Sequence, residues 1–329
     1  VSRAETIASF LAAHGFAAAR AVPLAQDASF RRYLRLHGGP RPAVLMDSPP
    51  PEDVRPFLRV AAHLAGAGLS VPEVIAADPA QGLLLLEDFG DRLLSAADPE
   101  PAQFEAAAEA LAAMQAAPAP PLPDWSPATM TAAALSPLFD WWWPAAFGAP
   151  PPDAAREEIG RALAETLAPL AEATPVFVHR DFFAGNLIWL PDRAGPRRIG
   201  VLDFQSAALG HPGYDLASLI EDARRDVPPS VAARAVARFL AARPTLDPGA
   251  LRHALAVCAA QRHLRVAAQW VRLARRDGKP QYLVHGPRTW RLLDAALRHP
   301  ANAPLARALD RWIPPAHRRN PPEAASAVA

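Results

Sequence analysis

Apolar residues recur along this chain at two periods, and the change from one to the other divides it. Residues 4–18 repeat at helical spacing, and two strand-like runs follow at 30–36 and 43–46, joined by the turn signal HGGPRP. The second run, AVLM, is apolar throughout, as befits a strand covered on both faces. Past the prolines at 49–51, residues 53–65 return to helical spacing, with Phe57, Val60, Ala61 and Leu64 on one face. Two more strand candidates, 74–77 and 83–86, run into Glu87-Asp88-Phe89-Gly90, a chain-turning linker. Beyond Gly90 the period is mostly helical, at 102–116, 153–172, 215–221, 230–241, 251–276 and 288–298, with proline-rich breaks at 117–123 and 149–152. The exception is one hairpin, 187–190 with 199–202, across PDRAGPRR. The pattern predicts an α+β chain in two lobes: residues 1–90 around a small mixed or antiparallel sheet, and 91–329 larger and mostly helical.

Composition narrows the class. With 51% hydrophobic and 20% charged residues the chain has ample core material. Its one cysteine, Cys258, excludes an intramolecular disulfide framework and a cysteine-based zinc site, which suits a reducing cytosol. No apolar run reaches the ~20 residues of a membrane span, and the N-terminal stretch mixes charged with apolar residues, unlike a secretory signal. A cytoplasmic protein with no membrane partner is expected. The net charge of +1 hides an asymmetry, because residues 251–329 carry +10 and the remainder −9. That basic segment either attracts an anionic substrate or is solvated helix surface. It lacks the dense basic clusters with interleaved aromatics of strand-binding proteins, so no nucleic-acid partner is expected.

The segment VHRDFFAGN adds chemistry. Asp181 in His179-Arg180-Asp181 is placed to accept the proton of an acceptor hydroxyl, and Asn186, five residues on, to ligate Mg²⁺. If the following hairpin pairs symmetrically, Leu187 faces Leu202 and Asn186 lies across from Asp203. Opposed residues have Cβ atoms ~4.5–5.5 Å apart, close enough for an amide oxygen and a carboxylate to share one magnesium.

These residues resemble the aminoglycoside phosphotransferase and choline kinase superfamily, in the catalytic loop HRDFFAGN, the metal motif VLDFQ, and GHPGYDLASL. The resemblance implies a kinase-like two-lobed fold, ATP and Mg²⁺ as cofactors, adenine on the backbone of the linker from Glu87 to Phe89, and support of the catalytic loop by His179 and Asp215. Asp215 is also a credible helix N-cap. One departure is a missing lysine. In that superfamily the third strand supplies a lysine to the ATP phosphates, paired with a glutamate on the next helix. Here Met46 or Asp47 holds the position, helix 53–65 has no glutamate, and Lys279 is the only lysine in the chain. Arg31 and Arg32 in QDASFRRYLRL are the substitute cations, with Ser29 in the same phosphate-covering turn, since arginine grips phosphate through its planar fork. Exposed strand positions are the alternative for both arginines.

The same departure, together with LLLLEDFGD and QRHLRVAAQWVRLARRDGKPQYLVHGPRTW, is similar to the anomeric sugar kinases of peptidoglycan recycling. That likeness implies ATP-dependent transfer to the C1 hydroxyl of N-acetylmuramate or N-acetylglucosamine, a small amino-sugar partner. Asp140, Trp141, Gln205 and Arg262 are the candidate acceptor contacts. The three tryptophans at 141–143 serve equally as faces for a sugar ring or as packing. A kinase of another small alcohol, such as choline, homoserine or an antibiotic, is the nearest rival. A nucleotide-binding pseudokinase is a further one, which the retained Asp181, Asn186 and Asp203 oppose.

Overall fold

Strand alternation decides which side chains face the site. The computed structural model describes residues 2–24 and 31–325. Helix α1 (Arg3–Ala13) starts at a Ser2–Glu5 capping box and stops short of residue 18, because Gly15 turns the chain with φ +83°. Strands β1 (Arg20–Pro23), β2 (Arg32–His37) and β3 (Ala43–Asp47) follow, then α2 (Arg55–Gly66), β4 (Val74–Asp78) and β5 (Leu83–Glu87). They form one sheet in the order β1-β2-β3-β5-β4, antiparallel at every pairing. β3 is buried over its whole length. Its Ala43 and Leu45 pack with Phe10, Leu11 and Phe16 from the α1 side, while Met46 joins Phe57, Val60 and Leu64 of α2 on the other. The apolar stripe of α2 is thus what closes the inner face of the sheet.

The C-terminal lobe is helical: α3 (Pro101–Ala116), α4 (Pro127–Pro137), α5 (Trp143–Phe147), α6 (Asp153–Leu167), α7 (Gly213–Ile220), α8 (Pro229–Ala242), α9 (Pro248–Asp277), α10 (Gly286–Leu297) and α11 (Ala303–Trp312). α9 is the central member, with α4, α7 and α10 packed on it. Besides the expected hairpin, a second small sheet appears. β6 (Asp124–Trp125) and β7 (Val176–Val178) flank β10 (Ala208–Gly210), while β8 (Leu187–Trp189) and β9 (Ile199–Val201) make the hairpin. Strands of two or three residues carry no legible period.

The tryptophan cluster is corrected here. It lies on a π-helical turn, Leu138–Trp142, that follows Pro137 and closes through Trp143 N–H to the Leu138 carbonyl. Trp142 and Trp143 are core residues, and Trp142 packs 5.2 Å from the Trp290 ring. Asp140 is exposed and accepts a 2.9 Å hydrogen bond from Ser136 one turn earlier. Neither Asp140 nor Trp141 reaches the cleft between the lobes.

Candidate active site

A cleft of about 530 Å³ runs between the sheet and the helical lobe, lined by Arg31, Tyr33, Val44 and Leu86 above and by Asp181, Asn186 and Asp203 below. The loop from β7 to β8 carries Asp181. Arg180 has φ +75°, a left-handed backbone unusual for a non-glycine residue. The buried Asp215 holds it there, its carboxylate accepting the N–H of His179 at 2.6 Å and of Arg180 at 2.9 Å. Burial pushes the Asp215 carboxyl up from 3.8 to about 6, against the two backbone donors and His179, which favour the carboxylate. His179 bridges Leu202 O through Nε2 at 2.8 Å and accepts the Asp181 N–H at Nδ1, 3.3 Å. That pairing makes Nε2 the nitrogen that donates to the Leu202 carbonyl. The Arg180 guanidinium covers the Trp125 ring at 4.0 Å, fastening the same loop from outside.

Asp181 keeps 41% of its side chain exposed to the cleft. Desolvation by the walls works to raise its carboxyl, and the guanidinium groups of Arg265, Arg262 and Arg180 overcome that effect, so the carboxyl sits below its usual range. It is therefore ionised at neutral pH.

The hairpin register differs from the symmetric expectation. Leu187 stands opposite Val201, and the Asn186 carbonyl accepts the Leu202 N–H at 2.9 Å, so Asn186 faces Leu202 and not Asp203. The 3₁₀ turn Gly195–Arg198 closes the loop with Arg198 opposite Leu190, one residue earlier than symmetry requires. In a straight ladder such a slip sends a side chain to the other face. Asp203 instead leaves the ladder with φ +58°, and both it and Asn186 line the cleft. The Asn186 amide donates to the Asp181 carbonyl at 2.9 Å, leaving its oxygen available. Gln205 does not line the cleft; its amide donates to Asp203 at 2.6 Å, which makes it a brace for that carboxylate and corrects its reading as an acceptor contact. Phe204 turns inward against Phe57 at 4.7 Å, tying α2 to this turn.

On the sheet side, the two candidate arginines at the entry to β2 part company. Arg31 lines the cleft with 11% of its side chain exposed. Arg32 points the other way, is 55% exposed, and pairs with the buried Asp47, which Arg3 also reaches; the phosphate reading of Arg32 is corrected on that ground. Asp47 is thereby committed to the outer face, and Met46 to the inner face packed by α2. Ser29 lies outside the described residues. The Glu87 carboxylate accepts a hydrogen bond from Arg193 at 2.6 Å. Phe89 lies under the Arg193 guanidinium at 5.0 Å and against Gly200, where a Cβ would come within 2.7 Å of the ring. Arg35 clasps the linker from β2, donating to Asp88 at 3.0 Å and Asp91 at 2.7 Å.

Residues 20–252 match the sequence profile of the phosphotransferase enzyme family. The chain belongs to that family. It is 39% identical to the N-acetylmuramate/N-acetylglucosamine kinase of Caulobacter vibrioides over 95% of this chain and 97% of that one. It is 37% identical to the protein of the same name from Pseudomonas aeruginosa, with 88% of each covered. Among solved structures it is similar to a choline/ethanolamine kinase family protein from Mesorhizobium loti, with a TM-score of 0.64, 16% identity, and 94% of this chain and 100% of that one covered. A thermostable mutant of the aminoglycoside phosphotransferase APH(4)-Ia, in ternary complex with AMP-PNP and hygromycin B, gives a TM-score of 0.59 at 18% identity, covering 89% of this chain and 100% of that one. At those identities the structural likeness establishes the kinase-like two-lobed fold.

At the far end of the cleft of this phosphotransferase, α9 presents Arg262 and Arg265 and the loop after α7 presents Arg224. Arg265 lies 3.9 Å from Asp181, and Arg224 stacks over Phe183 at 4.1 Å. Of the four candidate acceptor contacts only Arg262 lines the cleft. Arg35, Arg224, Arg265 and Trp270 escaped the motif reading. The single available signal was the recurrence of 262, 265 and 269 at helical spacing within the basic segment.

Proposed function

We propose that this protein is an ATP-dependent kinase of the anomeric hydroxyl of N-acetylmuramate and N-acetylglucosamine, working in the cytoplasm in the recycling of cell-wall amino sugars. The observation that carries the phosphoryl-transfer reading is the meeting of Asp181, Asn186 and Asp203 in one cleft beneath the linker. The substrate class is supported by near-full-length relatives whose names specify these two sugars. On this reading residues 1–90 form the nucleotide-binding lobe and residues 91–329 the acceptor-binding lobe.

Asp181, ionised and wet on one side, accepts the hydrogen bond of the acceptor hydroxyl and takes its proton as the phosphoryl group transfers. A carboxyl held below its usual range is a weak base, and an anomeric hydroxyl is more acidic than an ordinary alcohol, so the two are better matched than Asp181 and a primary alcohol. Asn186 and Asp203 offer hard oxygen donors that fit magnesium. Magnesium keeps several water and phosphate oxygens as ligands, so two protein donors suffice. Bound there, Mg²⁺ would neutralise charge on the transferring group. Arg31 holds the phosphates in place of the missing lysine, and the backbone of the linker from Glu87 to Phe89 receives adenine.

Incubation with ATP, Mg²⁺ and either sugar should yield a sugar 1-phosphate, located by phosphorus–proton coupling in NMR, and a methyl glycoside blocked at C1 should be inert. Phosphate at C6, or turnover of the methyl glycoside, would remove the anomeric assignment.

A further inference from the structure

Arg262 is 2% exposed, yet it lines the cleft. Its Nε and Nη1 are buried with no hydrogen-bond partner among the described residues. A guanidinium has five donors, and burying a charged group without partners is costly unless something else supplies them. The neighbouring charges do not. Asp222 accepts the Arg224 N–H at 2.8 Å, and Asp181 faces Arg265 at 3.9 Å. Arg224 and Arg265 flank Arg262 at this end of the cleft, and no carboxylate among the described residues is hydrogen-bonded to Nε or Nη1 of Arg262.

The position of the cluster indicates which anion it lacks. The strongest charges acting on Asp181 are Arg265, 3.9 Å away, and Arg262, both on α9 and ahead of His179 and Arg180, whereas Tyr33, at the other end, feels Asp203 and Arg31. The α9 arginines therefore belong with the base and the acceptor, and Arg31 with the metal-binding carboxylate and the phosphates. We propose that Arg262, flanked by Arg224 and Arg265, is a specificity determinant that receives the carboxylate of an acidic amino-sugar acceptor, a reading that rests on the sugar kinase function proposed above. N-acetylmuramate carries such a group on its lactyl ether, and N-acetylglucosamine has none. Arg224 is held against Phe183 and, at 5.1 Å, Trp270, so the charge is positioned before the ligand arrives.

The test is the ratio of kcat/KM for the two sugars, which cancels effects common to both. Wild-type protein should prefer N-acetylmuramate, and Arg262→Met should lower that preference about 10–100-fold, the span expected for charge-assisted hydrogen bonds. Arg224→Gln should lower it less. With wild-type protein, the carboxamide of N-acetylmuramate should fall to the efficiency of N-acetylglucosamine, an outcome that does not depend on any variant folding. An unchanged ratio in Arg262→Met, or a carboxamide as good as the acid, would overturn the inference while leaving the kinase standing. Wild-type protein that phosphorylates neither sugar would remove the substrate reading and this inference with it.

Discussion

The two ends of the cleft are held by different forces. At the base end, backbone groups of the catalytic loop are fixed by buried hydrogen bonds: Asp215 takes two N–H groups and His179 joins the loop to Leu202. At the nucleotide end, the linker is clasped by partly exposed ion pairs, Arg35 with Asp88 and Asp91, and Arg193 with Glu87. Exposed pairs are screened by salt, and buried backbone hydrogen bonds are not. The loop that carries Asp181 is therefore fixed by forces that salt does not screen, and the linker from Glu87 to Asp91 partly by forces that it does.

The largest effect should come from the base end. Asp181→Asn retains size and hydrogen bonding but cannot take a proton, so kcat should fall ~10²–10⁴-fold; turnover near wild type would end its role as base. Next comes the floor of the cleft. Asp203→Ala should cost on the order of 10²–10³ in turnover, and Asn186→Ala less, since it removes a neutral oxygen. Both should shift the magnesium dependence. A wild-type magnesium titration in either variant would contradict their pairing on one ion.

The pH profile sharpens the contrast further. Protonated Asp215 cannot hold both N–H groups as well as the carboxylate can, so activity should decline below about pH 6 and recover when pH is restored. Stability should run the other way. Because the folded-state pKa is raised from 3.8 to about 6, this group's contribution to stability is present below the lower value and is lost as pH rises through the higher. Comparing thermal melts of wild type and Asp215→Asn across that window checks the sign. A variant with the same pH dependence of stability as wild type would assign the effect to another group.

The smallest effect is expected at the nucleotide end. Arg31→Ala should raise the KM for ATP about tenfold, the loss of one charge-assisted contact to phosphate, and Arg32→Ala should leave it unchanged. Equal effects from the two would mean that strand alternation does not decide the anchor.

Part of this was legible in the residues. Two periods separated the lobes, because a five-residue strand buried on both faces and a helix with one apolar stripe leave distinct patterns. The catalytic loop was legible because its chemistry is local: Asp181 and Asn186 lie five residues apart on one loop, and spacing along a loop needs no tertiary knowledge. The register between Asn186 and Asp203 was not, since it hinges on a 3₁₀ turn in the intervening loop that shortens the pairing by one residue. The tryptophans at 141–143 were misleading for a related reason. Aromatic residues that suit a sugar face also suit a core, and only the π-helical turn after Pro137 shows which way they point.

By itself, then, the sequence determined the two periods that mark the lobes, the longer strands and helices within them, and the candidate trio Asp181, Asn186 and Asp203, because periodicity and loop spacing are properties of neighbouring residues. The tertiary structure alone decided that Arg31 and not Arg32 faces the cleft, that Met46 packs against α2, and that Arg224, Arg262 and Arg265 line the same cleft as Asp181. Those outcomes depend on which face of a sheet is closed by α2 and on which side of α9 meets the catalytic loop. Contacts between segments far apart in the chain set both.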